Sequence, residues 1–217
     1  RVILLSPSHQ PYRQPLLTTS HDAYSTPLGL VPVDREALAR LNDLLKESGG
    51  VELAAVRRDQ EHSLEIELPF LQVTQPNGFW LVPLMMVDQS ASMARLLSAA
   101  LLKLIQSFPP KENALLLASS DLSHFYSERA ANRLDGNLAD ALQEFDLNAF
   151  YQRKQHGEME ACGFAPMATV LQTSRLLGAE QVTVADYRTS AAVTGDRSSV
   201  VGYLSAIIST GKADLHA

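Results

Sequence analysis

The sequence predicts a single α/β domain whose central sheet, mostly parallel or mixed, is flanked by helices. Short unbroken apolar runs recur along the chain and read as strands buried on both faces. Longer segments with apolar residues at helical spacing separate them, giving five or more strands and four or so helices, the alternation of an α/β fold. With 217 residues, 46% of them hydrophobic, one domain can bury a sizeable core.

The run 2–5 is the first strand, and it leads into Ser6-Pro7-Ser8-His9, so an imidazole follows a strand end. A polar interval holds Thr18, Thr19 and Ser20. Tyr24-Ser25-Thr26-Pro27-Leu28-Gly29 carries turn signals that predict a loop. Asp34 is the expected cap of a helix through Leu45, with Ala37, Leu38, Leu41, Leu44 and Leu45 as its apolar stripe and Gly49-Gly50 as its stop. Residues 51–56 form a short strand. In the segment 59–71, Leu64, Leu68 and Leu71 recur at helical spacing, which predicts a helix kinked near Pro69 with His62 in its first turn. Residues 79–87 are a strand, and Pro83 inside it calls for an edge position or a bulge.

Residues 90–106 form an amphipathic helix with Met93, Leu97, Leu101 and Leu104 inward, closed by Pro109-Pro110. The run 115–118 is a strand that ends in Ser119-Ser120-Asp121-Leu122-Ser123-His124; helices over about 127–143 and 148–155 follow. The last helix begins near Met159-Glu160-Ala161-Cys162-Gly163 and stops at Gly178. That places Cys162 by its N-terminal end, where the helix field favours a thiolate. Residues 182–187 and 199–208 are the closing strands, with Thr194-Gly195-Asp196 turning between them. The domain therefore spans 1–210, and 211–217 is a polar, frayed tail in which His216 has no role.

A net charge of −6 with dispersed basic residues, Arg57-Arg58 apart, argues against nucleic acid and anionic membranes as partners. No apolar run is long enough to span a bilayer, and a single cysteine makes no internal disulfide, so a reducing cytoplasm is the expected location. The chain shows no glycine-rich phosphate loop, no G-x-S-x-G elbow and no Cys-x-x-Cys pair, which removes NTPases, the usual serine hydrolases and zinc ribbons.

What remains is a set of potential ligands and proton carriers: His9, His62 and Cys162, with Asp121 and His124 of similar chemical type. Open α/β sheets build their sites at strand ends, where Asp121 and His124 fall, so the carboxylate can orient the imidazole or both can face a substrate. The competing reading makes Asp121 a cap for the next helix and His124 an incidental loop residue. Likewise, taken singly, His62 reads first as a solvated helix-start histidine and Cys162 as a small buried hydrophobe.

Six motifs then occur in one order: Ser6-Pro7-Ser8-His9, Ser25-Thr26-Pro27-Leu28-Gly29, Glu61-His62-Ser63-Leu64-Glu65 with Leu68-Pro69-Phe70-Leu71, Ser119-Ser120-Asp121-Leu122-Ser123-His124, Ala161-Cys162-Gly163, and Val200-Val201-Gly202-Tyr203. In this order they resemble the Memo family, and the resemblance runs through almost the whole chain. Family members carry another strand and a Pro-His-Ala-Gly-like segment before the position where this chain starts, so the resemblance implies that an N-terminal strand is absent here.

The family in turn resembles class III extradiol ring-cleaving dioxygenases, non-haem iron enzymes whose metal is held by two His and one Glu. By that resemblance His9 and His62 match the two histidines, Cys162 stands where the carboxylate would be, and His124 matches the acid/base histidine with Asp121 beside it. A thiolate in place of a carboxylate shifts preference towards copper(I), zinc or a different iron redox balance, so ring cleavage does not follow. The resemblance implies a metal-dependent redox protein or oxidoreductase using iron or copper, with zinc as a further candidate, acting on a small molecule. Its alternatives are a metal-independent module that binds a peptide or another ligand, and a metal-assisted hydrolase.

Overall fold

Strand β1 (Val2–Pro7) is buried at all six positions. In a computed structural model describing residues 1–58 and 61–211, it lies inside a five-stranded sheet of order β5-β2-β6-β1-β7. The other members are β2 (Leu16–Thr19), β5 (Ala54–Val56), β6 (Leu81–Met86) and β7 (Leu115–Ala118). β1 runs parallel to β6 and β7, while β2 is parallel to β5 and antiparallel to β6. The fold is thus α/β with a mixed central sheet, as expected. No helix among the described residues is long and apolar enough to cross a membrane.

Two compact units make up the chain: Arg1–Ser119 with Gly163–Thr173, and Ser120–Cys162 with the residues from Ser174 onward. The sheet belongs to the first. There α1 (Arg35–Gly49) begins as its cap predicts: Asp34 Oδ1 accepts from the Ala37 N–H at 2.9 Å, and Gly50 closes the helix at φ 64°. α3 (Ala91–Gln106) starts on Ser90, whose Oγ accepts from the Met93 N–H. α6 (Phe164–Leu176) is joined to α3 through the Ser98 hydroxyl, which donates to the Thr169 carbonyl at 3.2 Å.

Several expectations are corrected in this unit. β2 takes up part of the interval read as polar, because Thr18 and Thr19 are buried despite their hydroxyls. The expected loop at 24–29 is instead a hairpin of β3 (Ala23–Thr26) and β4 (Gly29–Pro32), with Pro27 and Leu28 at its turn and Gly29 at φ 118°. Its turn signals were real, but they mark two residues between strands rather than a whole loop. β7 is an edge strand with Leu115 exposed, not one buried on both faces.

Pro83 lies in an interior strand instead of at an edge or a bulge. The pairing of β6 with β2 stops at Leu16 and Leu17, so no ladder bond is asked of the missing N–H. The Pro83 carbonyl, on that same side, accepts from the Thr18 hydroxyl at 2.7 Å.

Pro69 does not kink a helix; it helps to start one. α2 (Leu68–Thr74) carries Pro69 in its first turn, where an absent N–H costs nothing, and a 3-10 turn, Glu65–Glu67, precedes it. His62 therefore stands ahead of both and outside any helical first turn. Asp59 and Gln60, at the start of the expected helix, lie outside the described residues, as do residues 212–217 of the expected tail, including His216.

The second unit contains α4 (Glu128–Glu144), α5 (Leu147–Gln155), the short α7 (Ala191–Thr194) and an antiparallel sheet of order β8-β10-β9. Its strands are β8 (His124–Tyr126), β9 (Gln181–Thr189) and β10 (Val200–Ser209). The closing strands thus make their own sheet. Ala131, Ala191 and Val200 form a small buried cluster between α4, α7 and β10.

Candidate functional site

In the first unit the pleat of β1 continues as far as Ser8, whose N–H donates to the Met86 carbonyl at 2.9 Å, and His9 follows. Its partner is Glu61. The side chain of Glu61 is 2% exposed and that of His9 43%. One carboxylate oxygen, Oε2, accepts from the His9 backbone N–H at 2.6 Å, and the other, Oε1, lies 2.9 Å from His9 Nδ1. Oε1 also accepts from the Ser63 N–H at 3.1 Å, and the Ser63 hydroxyl donates to the Pro7 carbonyl at 3.3 Å. The segment carrying Glu61 and His62 is in this way stitched to the end of β1.

The result is a pair of imidazoles. The His9 and His62 rings stack with centroids 5.8 Å apart and planes 15° from parallel, and His62 Nδ1 is 4.0 Å from Glu61 Oε1. Burial pushes the Glu61 carboxyl up, but the His9 N–H, the His9 imidazole and Ser63 outweigh it and hold the group at about 2. At neutral pH Glu61 is therefore ionised and can only accept hydrogen bonds.

In the second unit the Asp121 to His124 segment is held by main-chain bonds to β10. Leu122 N–H donates to the Gly202 carbonyl and Gly202 N–H to the Ser123 carbonyl, both at 3.0 Å. His124 opens β8 opposite Val201, and its Nε2 lies 3.3 Å from Asp121 Oδ2. Asp121 does not cap the following helix, because Ser127 takes that position. Cys162 is bound to the same segment: its N–H donates to the Asp121 carbonyl, and the Asp121 N–H donates to Cys162 Sγ, each at 3.2 Å. The Ser120 hydroxyl lies 3.7 Å from the sulfur.

The expected helix-stabilised thiolate is not what this arrangement makes. α6 begins at Phe164, beyond Cys162, and burial pushes the thiol up, with the neighbouring Asp121 charge adding to it. The Ser120 hydroxyl and the Asp121 N–H pull the other way without reversing the shift. Tyr203, of the Val-Val-Gly-Tyr motif, is raised by burial and then by the Asp121 charge.

Two residues were missed by sequence reasoning. Glu61 stands in the sequence only as part of the Glu61-His62-Ser63-Leu64-Glu65 motif; its position beside His62 was the available signal. Asp135 sits on the buried face of α4 among Ala131, Leu134 and Leu138 and is fully buried, an acid in an apolar register. Its Oδ1 accepts from the Ser123 N–H at 3.0 Å and its Oδ2 from the Tyr187 hydroxyl at 2.8 Å.

The expected residues thus fall into two groups: His9 and His62 stacked in the first unit, and Asp121, His124 and Cys162 linked in the second. Among the described residues, no three His, Cys, Asp or Glu side chains form a group that could hold a metal ion.

A family model described as Memo-like protein matches residues 1–207. A MEMO1 family protein of Nitrosopumilus maritimus is 34% identical over 202 residues, which cover 93% of this chain and 71% of the relative. One from Thermotoga maritima is 33% identical over 207 residues, covering 95% and 71%, and one from Thermotoga neapolitana is 34% identical over 208, covering 96% and 71%. With the match running from β1 into β10, this chain belongs to the Memo family.

Proposed function

We propose that this chain is a metal-binding protein of the Memo family that holds iron or copper through His9 and His62 and serves redox chemistry on a small molecule. The observation that carries the reading is the His9 and His62 pair: residues 53 positions apart in sequence stack at 5.8 Å. Imidazole ligands sit about 2 Å from their ion, so two rings whose centroids are 5.8 Å apart lie within the span of one ion. The donor chemistry also fits, since imidazoles suit iron, copper and zinc.

A bound iron or copper ion supplies one-electron chemistry that protein side chains lack. The second unit carries a proton-handling pair of its own. Asp121 Oδ2 faces His124 Nε2 and holds the ring in one orientation, leaving Nδ1 as the atom that exchanges a proton with a substrate.

The test is metal analysis of protein purified without chelators or an affinity tag, beside a His9→Ala/His62→Ala double variant. At least a tenfold lower metal content is expected in the variant, and equal content would end the reading. Titration with candidate small molecules and peptides before and after chelation adds a second check. Affinity that survives chelation would assign the chain to a metal-independent binding module instead.

A further inference from the structure

We propose that Glu61 is a positioning residue that fixes the neutral His9 ring as its Nδ1–H tautomer and so reserves Nε2 as the lone-pair donor; the use of that lone pair for a metal rests on the function proposed above. Two contacts and the burial of the carboxylate carry the inference. Glu61 Oε1 is 2.9 Å from His9 Nδ1, Oε2 accepts from the His9 main-chain N–H at 2.6 Å, and the carboxylate side chain is 2% exposed.

The carboxylate grips His9 at the ring and at the backbone together, so both the rotation of the ring and the path of the chain after β1 are set by one group. An ionised carboxylate offers no proton, so a neutral imidazole can satisfy it only by placing hydrogen on Nδ1. In water a neutral histidine prefers the opposite tautomer, with hydrogen on Nε2. Glu61 therefore selects the form that solvent does not, and the selected form leaves Nε2 unprotonated. A buried carboxylate bound to the far nitrogen is the arrangement that orients ligating histidines and raises their donor strength.

Glu61 is cast as an orienting group rather than a ligand because its oxygens already receive N–H donors: Oε2 from His9, and Oε1 from Ser63 at 3.1 Å besides the His9 ring. The adjacency of Glu61 and His62 gives the device its economy. One short segment delivers both the second imidazole and the group that orients the first, with Oε1 4.0 Å from His62 Nδ1.

The test is long-range 1H–15N NMR on metal-free protein labelled at histidine, with His9 assigned from a His9→Gln variant. Wild-type His9 is expected to show the Nδ1–H pattern, Glu61→Ala to revert it to Nε2–H, and Glu61→Gln, whose amide oxygen can still accept, to retain it in part. Zinc(II), a redox-inert probe, is then expected to bind Glu61→Ala about 10- to 100-fold more weakly than wild type, with Glu61→Gln between them. An Nε2–H pattern at His9 in the wild type would overturn the proposal, and that measurement needs no variant to fold. So would a tautomer unchanged in a folded Glu61→Ala. An Nδ1–H ring in a wild type that binds no zinc, iron or copper would uphold the role of Glu61 and remove the metal-binding function.

Discussion

Asp135 occupies the space that a side chain at position 202 would need: a Cβ built on Gly202 falls 1.9 Å from Asp135 Oδ2 and 2.7 Å from Cγ. The glycine is required by close approach rather than by a turn, since Gly202 lies within β10 and pairs with Thr189. What comes so close is a buried carboxylate that joins the Asp121 to His124 segment, through the Ser123 N–H, to β9, through the Tyr187 hydroxyl.

Gly202→Ala is expected to destabilise the protein by on the order of 3 kcal/mol, because Asp135 must leave hydrogen bonds that solvent cannot replace. Denaturant unfolding measures it. In an Asp135→Ala background the obstacle is gone, and the added cost of Gly202→Ala should fall by about 1 kcal/mol or more. A full additive cost in the double variant would separate the two residues.

Tyr187→Phe is expected to cost about 1–2 kcal/mol near neutral pH through the lost bond to Asp135. Its effect should depend on alkaline pH in a defined direction. Burial, then the Asp135 bond and charge, raise the Tyr187 phenol above its ordinary 10.0. Above about pH 10 the unfolded chain sheds a proton that the folded chain keeps, so the contribution of the hydroxyl is complete below that pH and declines as pH rises. The stability gap between wild type and Tyr187→Phe, followed by unfolding from pH 7 upward, should therefore narrow above pH 10.

Phe125 adopts φ 64° while its side chain is 79% exposed, so left-handed strain is held where no core packing rewards it. The register of β10 against β8 shifts beside it, between Val200 and Val201. Phe125→Gly should be as stable as wild type or more so by up to about 1 kcal/mol, whereas Phe125→Val should lose about 1 kcal/mol or more. Thermal unfolding of the pair checks this, and equal melting temperatures for Gly and Val would remove the strain.

Thr18→Val keeps the branched shape of a fully packed strand residue but strands the Pro83 carbonyl. A loss of about 1–2 kcal/mol is expected, against a smaller one for Thr18→Ser, which keeps the hydroxyl donor. Chemical denaturation of both variants gives the comparison.

Much of the fold was legible where local chemistry decides the outcome. The Asp34 cap, the stripe of α1 and its Gly50 stop were all readable, because a cap bond spans three residues and a stripe repeats every turn. Other features escaped because partners far along the chain decide them. Thr18 and Thr19 look like a polar interval until β5 and β6 pair on either side of β2, and the leucines of β7 look buried until the sheet ends beside them. Pro83 is tolerated inside the sheet only because β2 stops pairing short of it.

The same division holds for the site. By itself the order of motifs along the chain determined the family, and the residue types determined which side chains can bind an ion or carry a proton. Tertiary structure alone decided that His9 stacks on His62, that Glu61 faces His9 Nδ1, and that Asp135 stands against Gly202. Those are relations between segments 50 or more residues apart. A hydrogen bond or a close contact acts over a few ångströms in space and leaves no periodic trace in a sequence, so only the folded chain displays it.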